Sequence, residues 1–257
     1  MRYCLLFLLL VSFYNHKTFA CDRGLKTLID QTAIGSQIRF TDQLVAMRLQ
    51  RMQNRPNVDV EAMKKTIKIL GSYLTGETIV ARLCNQLDKD KTLPVGELLE
   101  LLESKDLKEI FAVEAKLYTI TGQGKLRSFT QAEGKKIAND SNEKWQKFST
   151  ATRQVERNVA ISIGLSQGFL LAMADRKKEQ LDIEKISHYQ RKVVAEQVSK
   201  VMPIQTAFLF EEVSDDKQRK FFAEISRSIW QQYFLLVEKA LGEVFIDLNA
   251  DIKAAFK

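Results

Sequence analysis

The sequence predicts an all-α protein, a multi-helix bundle gathered around one central apolar helix. Three observations predict it. Apolar residues recur every three to four positions along nearly the whole chain, and no run alternates apolar and polar as a half-buried strand does. Only three prolines occur in 257 residues, Pro56, Pro94 and Pro203, each where one periodic run stops and another begins. Residues 159–174, VAISIGLSQGFLLAMA, carry no charge at all. A helix that is apolar all round has to be buried all round.

That central stretch has an internal order. Ala160, Gly164, Gly168 and Ala172 recur every fourth residue and line one face. Ile161, Leu165, Phe169 and Met173 line the face beside it. Small residues let a second helix approach closely, and the large strip fills a core. Each interior glycine costs about 1 kcal/mol against alanine, so close packing has to compensate. The stretch is shorter than the ~20 apolar residues of a membrane span. Charges bracket it at Arg153 and Arg157 on one side and 175–178 on the other. No transmembrane span is therefore expected after residue 20.

The first twenty residues read as a secretory signal peptide: Arg2, then the apolar run 4–14, then Thr18-Phe19-Ala20 before Cys21. An uncleaved anchor is the alternative. The protein is expected to be exported, to the periplasm first of all, with secretion or a lipid anchor on Cys21 as alternatives. Cleavage would remove Arg2 and Lys17 and no acid, taking the net charge from +7 to +5. It would leave Cys21 and Cys84 as the only cysteines, which suggests a disulfide in an oxidising compartment. Lipidation of Cys21 is the rival, but lipoproteins favour Leu three before the cysteine and a small residue two before, where Thr18 and Phe19 stand.

Residues 21–257 are expected to form one helical domain. A first helix spans about 24–52 with a weak point at Gly35, followed by a linker at 53–57. Asp59 or Asn57 caps a helix through Val60, Met63, Ile67 and Leu70. Thr75-Gly76 breaks it, and the next helix, through Ile79, Leu83 and Leu87, carries Cys84. A charged loop at 88–92 precedes the leucines of 98–102. Ser104 and Asp106 open a helix through Ile110, Val113 and Leu117 that breaks at 121–125. Thr130 and Glu133 have capping-box spacing, so a helix starting near Gln131 runs to about Arg157 and on into the central one. Asp182 restarts the chain for a helix to Val201. Ser214, Asp215 and Asp216 suit the positive end of a last helix, which Gly242 kinks or ends.

A short echo joins two of these starts. Ser104, Asp106, Phe111 and Glu114 match Ser214, Asp216, Phe221 and Glu224, each 110 residues on. It is compatible with two similar helical halves, 21–157 and 175–257, sharing the central helix. The segment 104–137 also resembles a family of exported, uncharacterised helical proteins of Gram-negative bacteria. Their hallmark is a helix ending aromatic-x-x-Ser-Pro-x-Gly-Gln/Arg/Lys. Tyr118 and then Thr121-Gly122-Gln123-Gly124-Lys125 stand in that register, with Thr for Ser and Gly122 for the proline. From Ser214 onward the chain resembles the repeat of the same unit in longer members, without the glycine. The resemblance implies export and a helical fold, and no chemistry.

Catalytic and metal-binding constellations are not expected. His188 is the only histidine after residue 20, and no Cys/His cluster has metal-ligand spacing. Gly122-Gln123-Gly124-Lys125 lacks the four-residue glycine spacing and the Ser/Thr of a phosphate loop. Glu103-Ser104 and residues 164–167 resemble fragments of lytic transglycosylase motifs, which keeps a cell-wall hydrolase as a remote alternative by analogy. No cofactor is implied.

Charge is more informative. Residues 122–157 hold eight basic side chains, Lys125, Arg127, Lys135, Lys136, Lys144, Lys147, Arg153 and Arg157, against four acids, a net +4. One reading is a face for an anionic envelope surface such as lipid headgroups, lipopolysaccharide or wall polymer. The plainer one is a solvated helix with ordinary charge pairs. An exported protein rarely meets nucleic acid, so that partner is set aside. The expectation is a non-catalytic protein acting through protein or envelope contacts.

Overall fold

A computed structural model describes residues 21–56, 59–139, 143–177 and 183–257. Residues 1–20, which the sequence suggests are a signal peptide, lie outside the described residues. The fold is an all-α bundle, and every regular element among the described residues is a helix. In chain order these are α1 (Arg23–Gln31), α2 (Ile34–Arg39), α3 (Thr41–Gln53), α4 (Val60–Tyr73), α5 (Gly76–Asp88) and α6 (Val95–Leu102). There follow α7 (Lys105–Leu117), α8 (Ile120–Asn139), α9 (Glu143–Ala151), α10 (Gln154–Lys177), α11 (Ile183–Leu209), α12 (Asp215–Ile225) and α13 (Ser228–Phe256).

Local chemistry explains several starts. Asp22, Asp59 and Thr75 accept backbone N–H bonds from Leu25, Ala62 and Thr78, which opens α1, α4 and α5. Thr75-Gly76 is thus a helix start as well as a break. Gly76 also donates its N–H to Asp42 Oδ1 at 2.7 Å, tying α5 to α3. Ser104 and Ser214 occupy the N-cap positions of α7 and α12, without a side-chain cap bond.

Other boundaries differ from the sequence reading. The first break falls at Thr32-Ala33 rather than Gly35, because Ala33 is left-handed at φ 61°. The Thr32 hydroxyl donates to Leu28 O and pairs with the Tyr233 hydroxyl at 3.0 Å, which anchors the turn to α13. Thr130 starts nothing: its hydroxyl donates back to Leu126 O inside a continuous α8. The break after α7 comes at Tyr118-Thr119, and 121–125 form the first turns of α8. Gly122 is required there, since a Cβ would meet Lys116 O at 2.0 Å. α9 does not run into the central helix, because Arg153 turns the chain at φ 54°. Pro203 lies inside α11, and Gly242 inside an unbroken α13.

The central helix is α10, and no residue from 159 to 174 is exposed. By length and composition Gln154–Asp175 could cross a membrane; here it packs chiefly against α13 and α11, with α4 and α9 beside them. Its small strip faces α13. A Cβ on Gly164 would sit 2.1 Å from the Phe245 ring. Asn249 of α13 donates to Gly164 O at 3.2 Å. Ile161, Leu165 and Phe169 are buried in the core. α7 and α12, the two echoed helices, pack on each other, and the matched Phe111 and Phe221 rings lie 5.5 Å apart. Cys21 and Cys84 are joined, with Cα atoms 5.6 Å apart, which fastens the start of the domain to α5.

Gly164→Ala should destabilise the fold by about 1–3 kcal/mol through overpacking. Gly168→Ala should be far milder, because its nearest obstacle is the end of Leu74 at 3.0 Å and alanine favours helix. Denaturant melts of the two variants check this, and equal costs would remove the close approach at Gly164. Replacing both cysteines with serine should cost up to about 4 kcal/mol in the chain-entropy account. The same melts, with intact mass showing two fewer hydrogens than the dithiol, test the bond.

Candidate contact surface and buried polar centre

The eight basic residues singled out in 122–157 do not form one face. α8 packs on α11 through Leu126, Phe129 and Gly134, and the Phe129 and Phe208 rings lie 5.2 Å apart. The helical period therefore turns Lys135 outward, with Lys125 and Lys136 on one flank of the helix and Arg127 on the other. All four are exposed, and none has a carboxylate partner among the described residues. Lys147 is exposed on α9 and engaged with a neighbour. The Lys144 side chain lies outside the described residues.

The other two depart from the reading. Arg153 reaches Glu238 at 2.6 Å and Glu156 at 3.5 Å, and these pairs hold its left-handed turn. Arg157 is 1% exposed and cannot touch any surface partner. It points into the bundle, 3.9 Å from Glu114 of α7, with its guanidinium 5.4 Å from the Phe234 ring centre. Glu114 is equally buried, and Gln154 donates to its Oε1 at 3.1 Å. A buried charge has to be paired, which is why α7, α10 and α13 meet at this point.

Burial pushes the Glu114 carboxyl above its ordinary range, against the pull of Arg157 and then of the Gln154 amide. Burial likewise raises the Tyr118 phenol, with Glu114 adding to it, and the Tyr233 phenol, against the bond to Thr32. This centre is an internal joint. A groove of about 740 Å³ lies elsewhere, between α9 and α13, lined by Lys147, Thr150, Arg153, Ser226, Gln231 and Leu235 among others.

The remaining sequence candidates are dispersed. Glu103 is exposed and bound to Lys108 at 2.7 Å, while Gly164 is in the core, so the two transglycosylase-like fragments do not meet. His188 is exposed on α11. Among the described residues, no three His, Cys, Asp or Glu side chains converge as a metal site would need. No protein-family description, curated protein or solved structure matches the chain.

The two members of the buried pair differ in one respect. A carboxyl left alone can take a proton, whereas a guanidinium cannot lose one. Glu114→Leu should therefore cost about 3–5 kcal/mol, Arg157→Met less, and the double variant should recover much of the loss. In Arg157→Met the Glu114 carboxyl rises further. A raised carboxyl stabilises below its unfolded value and loses that contribution as pH climbs, so this variant should weaken more at alkaline than at mildly acid pH. Chemical melts across pH check both statements, and an additive double variant would dissolve the pairing.

Proposed function

We propose that this is an exported helical protein that works by contact rather than turnover, and that its contact is with anionic envelope material across the outer face of α8. The supporting observation is the set Lys125, Arg127, Lys135 and Lys136, exposed on one helix without carboxylate partners among the described residues. Such cations, spread around the solvent side of one helix, are available to phosphate or carboxylate groups of a lipid headgroup, lipopolysaccharide or wall polymer. A disulfide between Cys21 and Cys84 suits an oxidising compartment, and the apolar leader suits export. The likeness of 104–137 to exported helical proteins points the same way. A protein partner docking on the same helix is the second reading, favoured by the exposed Ile120 at its start.

Reversing Lys125, Arg127, Lys135 and Lys136 to Glu should weaken association with anionic vesicles and envelope fractions while helicity stays unchanged. Reversing Lys89, Lys91, Lys105 and Lys108, away from this helix, should do much less. Wild-type binding should fade with added salt, since exposed charges are screened within ~10 Å at 0.1 M. Equal loss from both quartets in a sedimentation assay would mean net charge alone, and no binding at low salt would leave the protein partner.

A further inference from the structure

A second surface carries a different chemistry. α3 turns Thr41, Val45, Leu49 and Met52 into the core. The helical period then sets Leu44, Met47, Arg48 and Arg51 together on the flank beside that core face, with Arg55 one turn beyond, just past the helix end. All five are exposed, Leu44 at 38% and Met47 at 45%. The acid of this helix, Asp42, is off the stripe and committed to the Gly76 N–H. Arg51 and Arg55 have no carboxylate partner among the described residues. Arg48 lies over the Phe169 ring of α10 at 4.5 Å, and its Nη1 reaches Ser166 Oγ at 3.5 Å. That contact holds its guanidinium in place beside the other two.

The stripe is thus three arginines mixed with two large apolar side chains. Partial burial and then the nearby Arg55 charge pull the Arg48 guanidinium below its ordinary value. A purely anionic polymer would use the arginines and leave the apolar pair in water. A bilayer of anionic phospholipid uses both: phosphates meet the guanidinium forks, and Leu44 and Met47 enter the boundary below the headgroups.

We propose that the α3 stripe, Leu44, Met47, Arg48, Arg51 and Arg55, is a docking face for an anionic phospholipid bilayer. It shares no residue with the α8 face and stands or falls separately. The helix lies flat on the surface, its core side still covered by the bundle, so docking needs no unfolding.

The test is sedimentation of the purified protein with vesicles of phosphatidylcholine and phosphatidylglycerol in equal parts, against phosphatidylcholine alone. Binding to the mixed vesicles and not to the neutral ones is expected. Arg51→Glu with Arg55→Glu should weaken it about thirtyfold or more, since each cation near such a surface contributes about fivefold. Leu44→Ser with Met47→Ser leaves the charge unchanged and should still weaken binding about tenfold through lost apolar insertion. All four positions are exposed, and circular dichroism should show native helix in both variants. Unchanged binding in the arginine variant overturns the proposal. Unchanged binding in the Leu44/Met47 variant overturns it too, leaving charge attraction alone. Failure of the wild type to bind, with self-association that either variant abolishes, assigns the stripe to a second copy instead. The α8 reversals serve as a separate arm. If they bind normally while the α3 variants do not, the α8 reading fails and this one holds.

Discussion

The approach of α10 to α13 sets the rest of the bundle. Phe245 occupies the space a Cβ on Gly164 would take, so the two backbones can cross closely only because that residue is glycine. The crossing fixes where Asn249 meets the Gly164 carbonyl, and where Leu74 and Ile252 close over Gly168. α5 and α4 then pack on α13, and α11 returns along α10. The glycines weaken the isolated helix and strengthen the assembled one. That trade makes sense only for a segment that is always covered, and a central helix with no exposed residue between 159 and 174 meets the condition.

The aromatic cluster and the Glu114–Arg157 pair are consequences of the same geometry. Phe111, Phe221 and Trp230 meet where α7, α12 and α13 converge. Arg157 enters that region from the first turn of α10 and needs a carboxylate on α7 in reach. A buried ion pair contributes less to net stability than an apolar replacement would, because both charges lose their water. Its effect is on arrangement: it sets Arg157 of α10 against Glu114 of α7 inside the bundle. The short echo between α7 and α12 belongs to this region as well, since the matched phenylalanines touch each other.

Sequence reasoning reached the features carried by local chemistry. The uncharged run of 159–174, its small strip, the start at Asp59, the break at Thr75-Gly76, and the pairing of Cys21 with Cys84 all follow from spacing or residue type. The misplaced boundaries depend on distant partners. Ala33 turns left-handed beside a threonine tied to Tyr233, and Arg153 does so while held by Glu238. Neither turn has a glycine to announce it. Arg157 was legible in principle: it stands four residues before Ile161 and continues the strip of Ile161, Leu165 and Phe169. Counting charge along the chain hid this, because a segment total ignores which face each charge occupies.

The two exposed basic helices differ in what accompanies their charges. On α8, the exposed lysines are accompanied by Ser128, Gln131 and Ala132, and the one large apolar side chain exposed there, Ile120, stands at the helix start. On α3, leucine and methionine sit among the arginines, and one arginine is braced on an aromatic ring. Long-range attraction depends on the number of charges and falls with salt, so it would act on both faces alike. Apolar insertion acts over contact distance and is insensitive to salt. A surface that combines them loses part of its affinity with salt and keeps the rest, whereas a purely charged one loses nearly all. The distribution of apolar side chains, more than the net charge of either helix, therefore decides what each face can hold.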